Sequence, residues 1–115
     1  MEPLASRRCK PCEGGTEPLP LSAAKTLLQD LRGWELVEGR VLRKTLTCKD
    51  FLDAVNVIQR IAPVAEAEDH HPDLHLTGYR RLTIDLSTHA IGGLSENDFI
   101  LAAKLDQLFS PAPSS

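Results

Sequence analysis

No stretch of this chain approaches the ~20 consecutive apolar residues that a membrane-spanning helix needs, and its first residues lack the apolar centre of a secretory signal. Basic clusters are scarce too, Arg7, Arg8 and Lys10 forming the one short group. With a net charge of −3, the chain is not expected to carry the basic stripe of a nucleic-acid surface. Cysteine is both rare and odd in number, three in 115 residues, which does not suit a disulfide framework. Cys9 and Cys12 form a C-x-x-C, but no second pair completes the four ligands of a structural zinc site. That pair lies in a Pro/Gly-rich leader rather than at a strand-to-helix junction, so it is read as structural or incidental. The expected compartment is the cytosol, or an organelle where a presequence precedes residue 1.

What is present is the material of one small α+β domain. Residues 1–20 carry Pro3, Pro11, Pro18, Pro20 and Gly14-Gly15 and read as an irregular leader; residues 110–115 read as a flexible tail. Between them, a domain over residues 21–109 is expected. Helical spacing of Ala24, Leu27, Leu28 and Leu31 predicts a helix over 21–32, capped by Ser22 and ended by Gly33. Residues 34–38 and 41–47 read as strands joined at Glu38-Gly39-Arg40. A second helix follows, with Thr47 and Asp50 at capping-box spacing and Phe51, Ala54, Val55, Ile58, Ala62 and Ala65 on one face. Pro63 predicts a local distortion in it, and Pro72 limits it, so its end is placed at Asp69 or His70. Residues 74–78 form a short strand, and Leu82, Ile84 and Leu86 alternate with Thr83, Asp85 and Ser87 in a clearer one. Ser95 then caps a last helix, with Asp98 at the capping-box position. The order α-β-β-α-β-β-α predicts a four-stranded antiparallel sheet with three helices packed on one face.

All four histidines fall within residues 70–89. Imidazole is the side chain whose ordinary pKa lies in the physiological range, so a cluster of it suits proton transfer. Glu66 and His70 are four apart near a helix end and are expected to meet on one face, the carboxylate orienting the ring. Pro72 turns His71 away from the helix. His89 has the parity of the polar set at the end of the fourth strand, placing a third imidazole at the same pocket if that strand runs back past the second helix. His71 and His75 are also four apart, but Pro72 removes the helical meaning of that spacing, and no metal site is expected. His75 reads as a surface strand residue.

These residues form a longer spaced set. Glu66-x3-His70-His71-Pro72 is followed by Tyr79, by His89 after nine intervening residues, and by Asp98 after eight more. Trp34, Glu38-Gly39-Arg40, Lys49-Asp50-Phe51, Leu86-Ser87-Thr88-His89 and Gly93-Leu94-Ser95-Glu96-Asn97-Asp98 flank it. The set resembles the signature of pterin-4a-carbinolamine dehydratases over residues 21–108, and the Cys9-Lys10-Pro11-Cys12 leader resembles that of bacterial, plant and protist members.

The resemblance implies dehydration of 4a-hydroxytetrahydropterin to quinonoid dihydropterin, in recycling of the pterin used by aromatic amino acid hydroxylases. It implies a homodimer or homotetramer and neither a metal nor a redox cofactor. By resemblance, His70 and His89 are the acid/base groups, His71 helps to position the pterin, and Glu66 tunes His70. Pro72, Ser87, Thr88, Ala90, Ile91 and Asp98 join them around the substrate. The alternative on the same fold is a non-catalytic binding module or a transcriptional or assembly cofactor. Leu74 stands where animal members carry tryptophan, and one more residue separates Pro72 from Tyr79 than in them, so the apolar wall of the pterin pocket is expected to differ.

Overall fold

Alternation at Leu82, Ile84 and Leu86 produces a central strand of the sheet, with all three side chains fully buried. The computed structural model describes residues 4–6, 18–88 and 91–109. Its four strands, β1 (Glu35–Val37), β2 (Val41–Thr47), β3 (Asp73–Thr77) and β4 (Arg81–Leu86), form one antiparallel sheet in the order β1-β2-β4-β3. Three helices, α1 (Leu21–Leu28), α2 (Phe51–Glu68) and α3 (Glu96–Phe109), complete the expected α+β pattern. Ala24, Ala54, Ile61, Phe99, Leu101 and Leu105 from the helices close over Leu42, Leu82, Ile84 and Leu86 from the sheet. Truncating one of these fully buried leucines to alanine removes about 2–5 kcal/mol, because the site collapses only in part.

The period of two sorts side chains between the sheet's faces. Leu42 pairs with Leu86 and Leu46 with Leu82 on the helix side, whereas Arg43 pairs with Asp85 and Thr45 with Thr83 on the other. Arg43 Nε lies 2.8 Å from Asp85 Oδ1 and Nη2 lies 3.0 Å from Oδ2, a two-point bond that raises the guanidinium pKa further. His75 opposes Thr83 on this polar face, 3.9 Å from Asp85. Lys44 departs from the pattern: it opposes Ile84 on the helix side, where a lysine is costly unless paired. Its Nζ donates to Asp106 Oδ1 at 2.8 Å and to the Arg32 carbonyl at 2.7 Å, and it lies over the rings of Trp34 and Phe109.

Several boundaries differ from the sequence reading for local reasons. The first helix stops at Leu28 rather than at residue 32, and Pro20, not Ser22, takes the cap position. Proline suits the entry because its backbone there is extended and its carbonyl still accepts from the Ala24 N–H at 3.0 Å. Thr47 remains in β2, and Asp50 caps α2 instead, accepting from the Asp53 N–H at 2.8 Å. Asp53 in turn accepts from the Lys49 N–H at 2.8 Å. Helix α2 runs unbroken through Pro63 although that residue has no N–H to give the preceding turn. The three-residue connection after β1 turns at Glu38 and Gly39, both at positive φ (53° and 69°), with the Arg40 N–H returning to the Val37 carbonyl at 3.0 Å.

Part of the leader belongs to the core. Leu4–Ser6 is a 3-10 turn against α3, with Leu4 buried, and the Leu19 N–H donates to the Leu94 carbonyl at 2.8 Å. Cys9, Cys12 and the tail over 110–115 lie outside the described residues. Cys48 is a buried thiol whose pKa is raised, first by burial and then by the charges of Asp53 and Asp50.

Candidate active site

The end of α2, the end of β4 and the start of α3 converge on one carboxylate. Helix α2 closes at Glu68 with Asp69 in the left-handed conformation (φ 51°), and the His70 N–H returns to the Ala65 carbonyl at 3.2 Å. This is a Schellman closure with aspartate in the place usually taken by glycine. It lifts His70 off the helical surface. The ring then meets Asp98 at the start of α3, with Nε2 2.6 Å from Oδ1. His70 is 12% exposed and Asp98 is wholly buried.

Asp98 is saturated on its other oxygen. Oδ2 accepts from the Ser95 N–H at 2.9 Å and from the Thr88 hydroxyl at 2.9 Å. As the third residue of α3, it also lies where the unpaired N–H groups of a helix favour an anion. A carboxylate can only accept, so the His70 Nε2 carries the proton of this contact, and Nδ1 is the acceptor of the neutral ring. An imidazole oriented in this way is suited to take or return a proton at one defined atom.

The expected pairing of Glu66 with His70 is not the one found. Glu66 Oε2 lies 2.6 Å from Nε2 of His71, while His70 is held by Asp98. The reason is the early end of α2: the four-residue rule applies within a helix, and His70 lies beyond the reversal at Asp69. The two pairs differ sharply in environment, since His71 and Glu66 are 55% and 75% exposed. Pro72, half-buried, leads directly into β3.

Ser87 and Thr88 follow β4, and Thr88 is drawn into the buried network. The Ile91 N–H donates to the Thr88 carbonyl at 3.2 Å. His89 and Ala90 lie outside the described residues. Beyond the capping role that its spacing from Asp98 predicts, Ser95 places its Oγ 2.8 Å from Thr88 Oγ1, a contact for which the sequence carries no local signal. Among the described residues, no group of three or more His, Cys, Asp or Glu side chains is arranged to hold a metal ion.

Residues 17–108 match the family model described as pterin 4 alpha carbinolamine dehydratase. A candidate pterin-4-alpha-carbinolamine dehydratase of Nitrosomonas eutropha is 48% identical over 106 residues, covering 91% of this chain and 92% of its own. Pterin-4-alpha-carbinolamine dehydratase 2, mitochondrial, of Arabidopsis thaliana is 42% identical over 109 residues, covering 91% of this chain and 58% of its own. A crystal structure of a transcriptional coactivator/pterin dehydratase from Brucella melitensis is similar at a TM-score of 0.75 and 32% identity, covering 82% of this chain and 100% of that one. Because the matched region spans α1, α2, all four strands and nearly all of α3, the chain belongs to the pterin-4a-carbinolamine dehydratase family.

Proposed function

We propose that this chain dehydrates a 4a-hydroxytetrahydropterin to the quinonoid dihydropterin by histidine acid/base catalysis. In that reaction the bond between C4a and its hydroxyl oxygen breaks, the neighbouring ring nitrogen loses its proton, and a C=N bond forms as water leaves. One group must deliver a proton to the departing hydroxyl, and another must accept the proton from nitrogen. The nitrogen lone pair assists the departure, so the chemistry asks only for positioned acids and bases. His70 and His89 are assigned these two transfers, and His71, beside Glu66, is assigned to hold the pterin. Pro72, Ser87, Thr88, Ala90, Ile91 and Asp98 are read as the surroundings of the ring.

The observation that carries this reading is the His70–Asp98 contact, a mostly buried imidazole fixed at one nitrogen by a fully buried carboxylate. Hydroxylase-linked pterin recycling, a homodimeric or homotetrameric state and a cytosolic location are part of the same proposal. Among the described residues, the outer strands β1 and β3 each keep one unpaired edge, which an associating partner could use. Among the described residues, no helix is long and apolar enough to cross a membrane.

The test is acceleration of 4a-hydroxytetrahydropterin dehydration by the purified chain, measured beside His70→Ala and His89→Ala. Each variant should lose on the order of 10²-fold or more in rate. If the wild type gives no acceleration above buffer, the enzyme reading fails and a binding module takes its place. If both variants match the wild type, the histidine assignment fails instead.

A further inference from the structure

Thr88 touches both parts of the site. Its backbone N–H donates to the Gly93 carbonyl at 2.8 Å, and its own carbonyl accepts from the N–H groups of Ile91 at 3.2 Å and Gly93 at 3.4 Å. Thr88 and Gly93 thereby form an isolated antiparallel bridge. The residue that follows Thr88 in the chain is His89. The Thr88 side chain works in the other direction, donating its hydroxyl proton to Asp98 Oδ2 at 2.9 Å. A hydroxyl has one proton to give, so the 2.8 Å contact with Ser95 Oγ is donated by Ser95. The result is a one-way series: Ser95 hydroxyl to Thr88 hydroxyl to Asp98 carboxylate, with the His70 Nε2–H arriving on the opposite oxygen.

We propose that Thr88 is a positioning residue, whose hydroxyl fixes the Asp98 carboxylate and through it the Nε2–H tautomer and orientation of His70. This rests on the assignment of His70 as a proton-transfer group. It differs from reading Thr88 as a wall of the pterin site: the residue is 6% exposed, and its hydroxyl is engaged by Asp98 and Ser95. Without the Thr88 proton, Asp98 Oδ2 keeps only the Ser95 N–H, and the carboxylate, still bonded to His70 through Oδ1, is held less firmly in its plane. A small loss of alignment at a proton-transfer group costs rate rather than affinity.

The experiment is Thr88→Val, which keeps the branched shape and removes the hydroxyl, beside Thr88→Ser, which keeps the hydroxyl. The valine variant should lose about tenfold or more in kcat with KM within about twofold, and serine should restore kcat to within about threefold of wild type. A rise in KM with unchanged kcat would overturn the proposal, because it would mean that Thr88 touches the substrate. Nitrogen-15 spectra of the His70 ring in the wild-type protein provide a reading that needs no variant to fold. They should show the Nε2–H tautomer, and the Nδ1–H tautomer would overturn the proposal. The spectra also read His70 independently of dehydration, so a chain that is inactive but carries the Nε2–H tautomer would sink the catalytic assignment and leave the positioning geometry standing.

Discussion

His70 and Asp98, 28 residues apart in the chain, meet at 2.6 Å where the end of α2 faces the start of α3. The carboxylate takes three donors on its two oxygens, and one of them decides which ring nitrogen of His70 holds the proton. Helix ends supply all the parts: a left-handed Asp69 to release the histidine, and a helix N-terminus to hold the anion.

Asp98→Asn should therefore be damaging in a specific way. Its amide oxygen will take the Ser95 and Thr88 donors, and its NH2 group will face His70 Nε2, which must then become an acceptor. The proton moves to Nδ1, the wrong tautomer for this site, as happens when an orienting aspartate becomes asparagine in a catalytic triad. The expected loss is about 10²-fold or more in kcat. The measurement is steady-state dehydration kinetics, with His70 nitrogen-15 spectra reporting the tautomer. Asp98→Asn activity equal to wild type would remove the argument.

Glu66→Gln tests the exposed pair. Its partner His71 is more than half exposed, so solvent already screens the interaction, and such pairs contribute about 0–1 kcal/mol. Unfolding midpoints in urea should match wild type, and glutamine should still accept from the His71 ring. A rate loss of only a few-fold is expected, well below that of Asp98→Asn. A loss as large as that of Asp98→Asn would place the main orienting carboxylate at Glu66 instead.

Much of this architecture could be read from periodicity, and its failures have definite causes. Leu82, Ile84 and Leu86 alternate with polar residues because one sheet face meets helices and the other meets water. The S-x-x-D spacing at Ser95 and Asp98 located the start of α3 within a residue. The partner of His70 was not legible, because an aspartate in the left-handed conformation carries no sequence signal as strong as glycine. A helix running on to residue 69 or 70 puts Glu66 beside His70, whereas the reversal at Asp69 puts it beside His71. Lys44 was opaque for another reason: its parity is apolar, and what reconciles it, Asp106, lies 62 residues away.

Lys44→Met tests that reconciliation. The methionine keeps a flexible apolar stem but loses the charged bonds to Asp106 and the Arg32 carbonyl. Charged hydrogen bonds contribute about 1.5–3 kcal/mol, part of which the better burial of methionine offsets, so a net loss of about 1–2 kcal/mol is expected by urea denaturation. Trp34 fluorescence should change with it, since the indole Nε1–H shares Asp106 Oδ1 at 2.8 Å and the ammonium sits 5.8 Å from the ring. Dehydration kinetics should be unaffected, because Asp106 lies eight residues past Asp98 on α3, about 12 Å along its axis.

Cys48 gives a pH prediction whose sign follows from its burial. Folding raises the thiol pKa, through burial first and then the neighbouring Asp53 and Asp50, so the folded chain holds the proton more tightly than the unfolded one. Below the unfolded value of 9.0 both states are protonated, and the full contribution of the buried thiol is present. As pH rises past it, the unfolded chain ionises first and is favoured, and stability falls until the folded thiol ionises too. Cys48→Ala lacks this titration. At neutral pH the variant should be the less stable protein, because it removes a buried side chain from the core. As pH rises above 9 the gap should narrow, as wild type alone pays the thiol's ionisation. Urea midpoints for both proteins at pH 7, 9 and 10 check this, and a gap that stays constant across the series would mean that the Cys48 thiol ionises as readily in the folded chain as in the unfolded one.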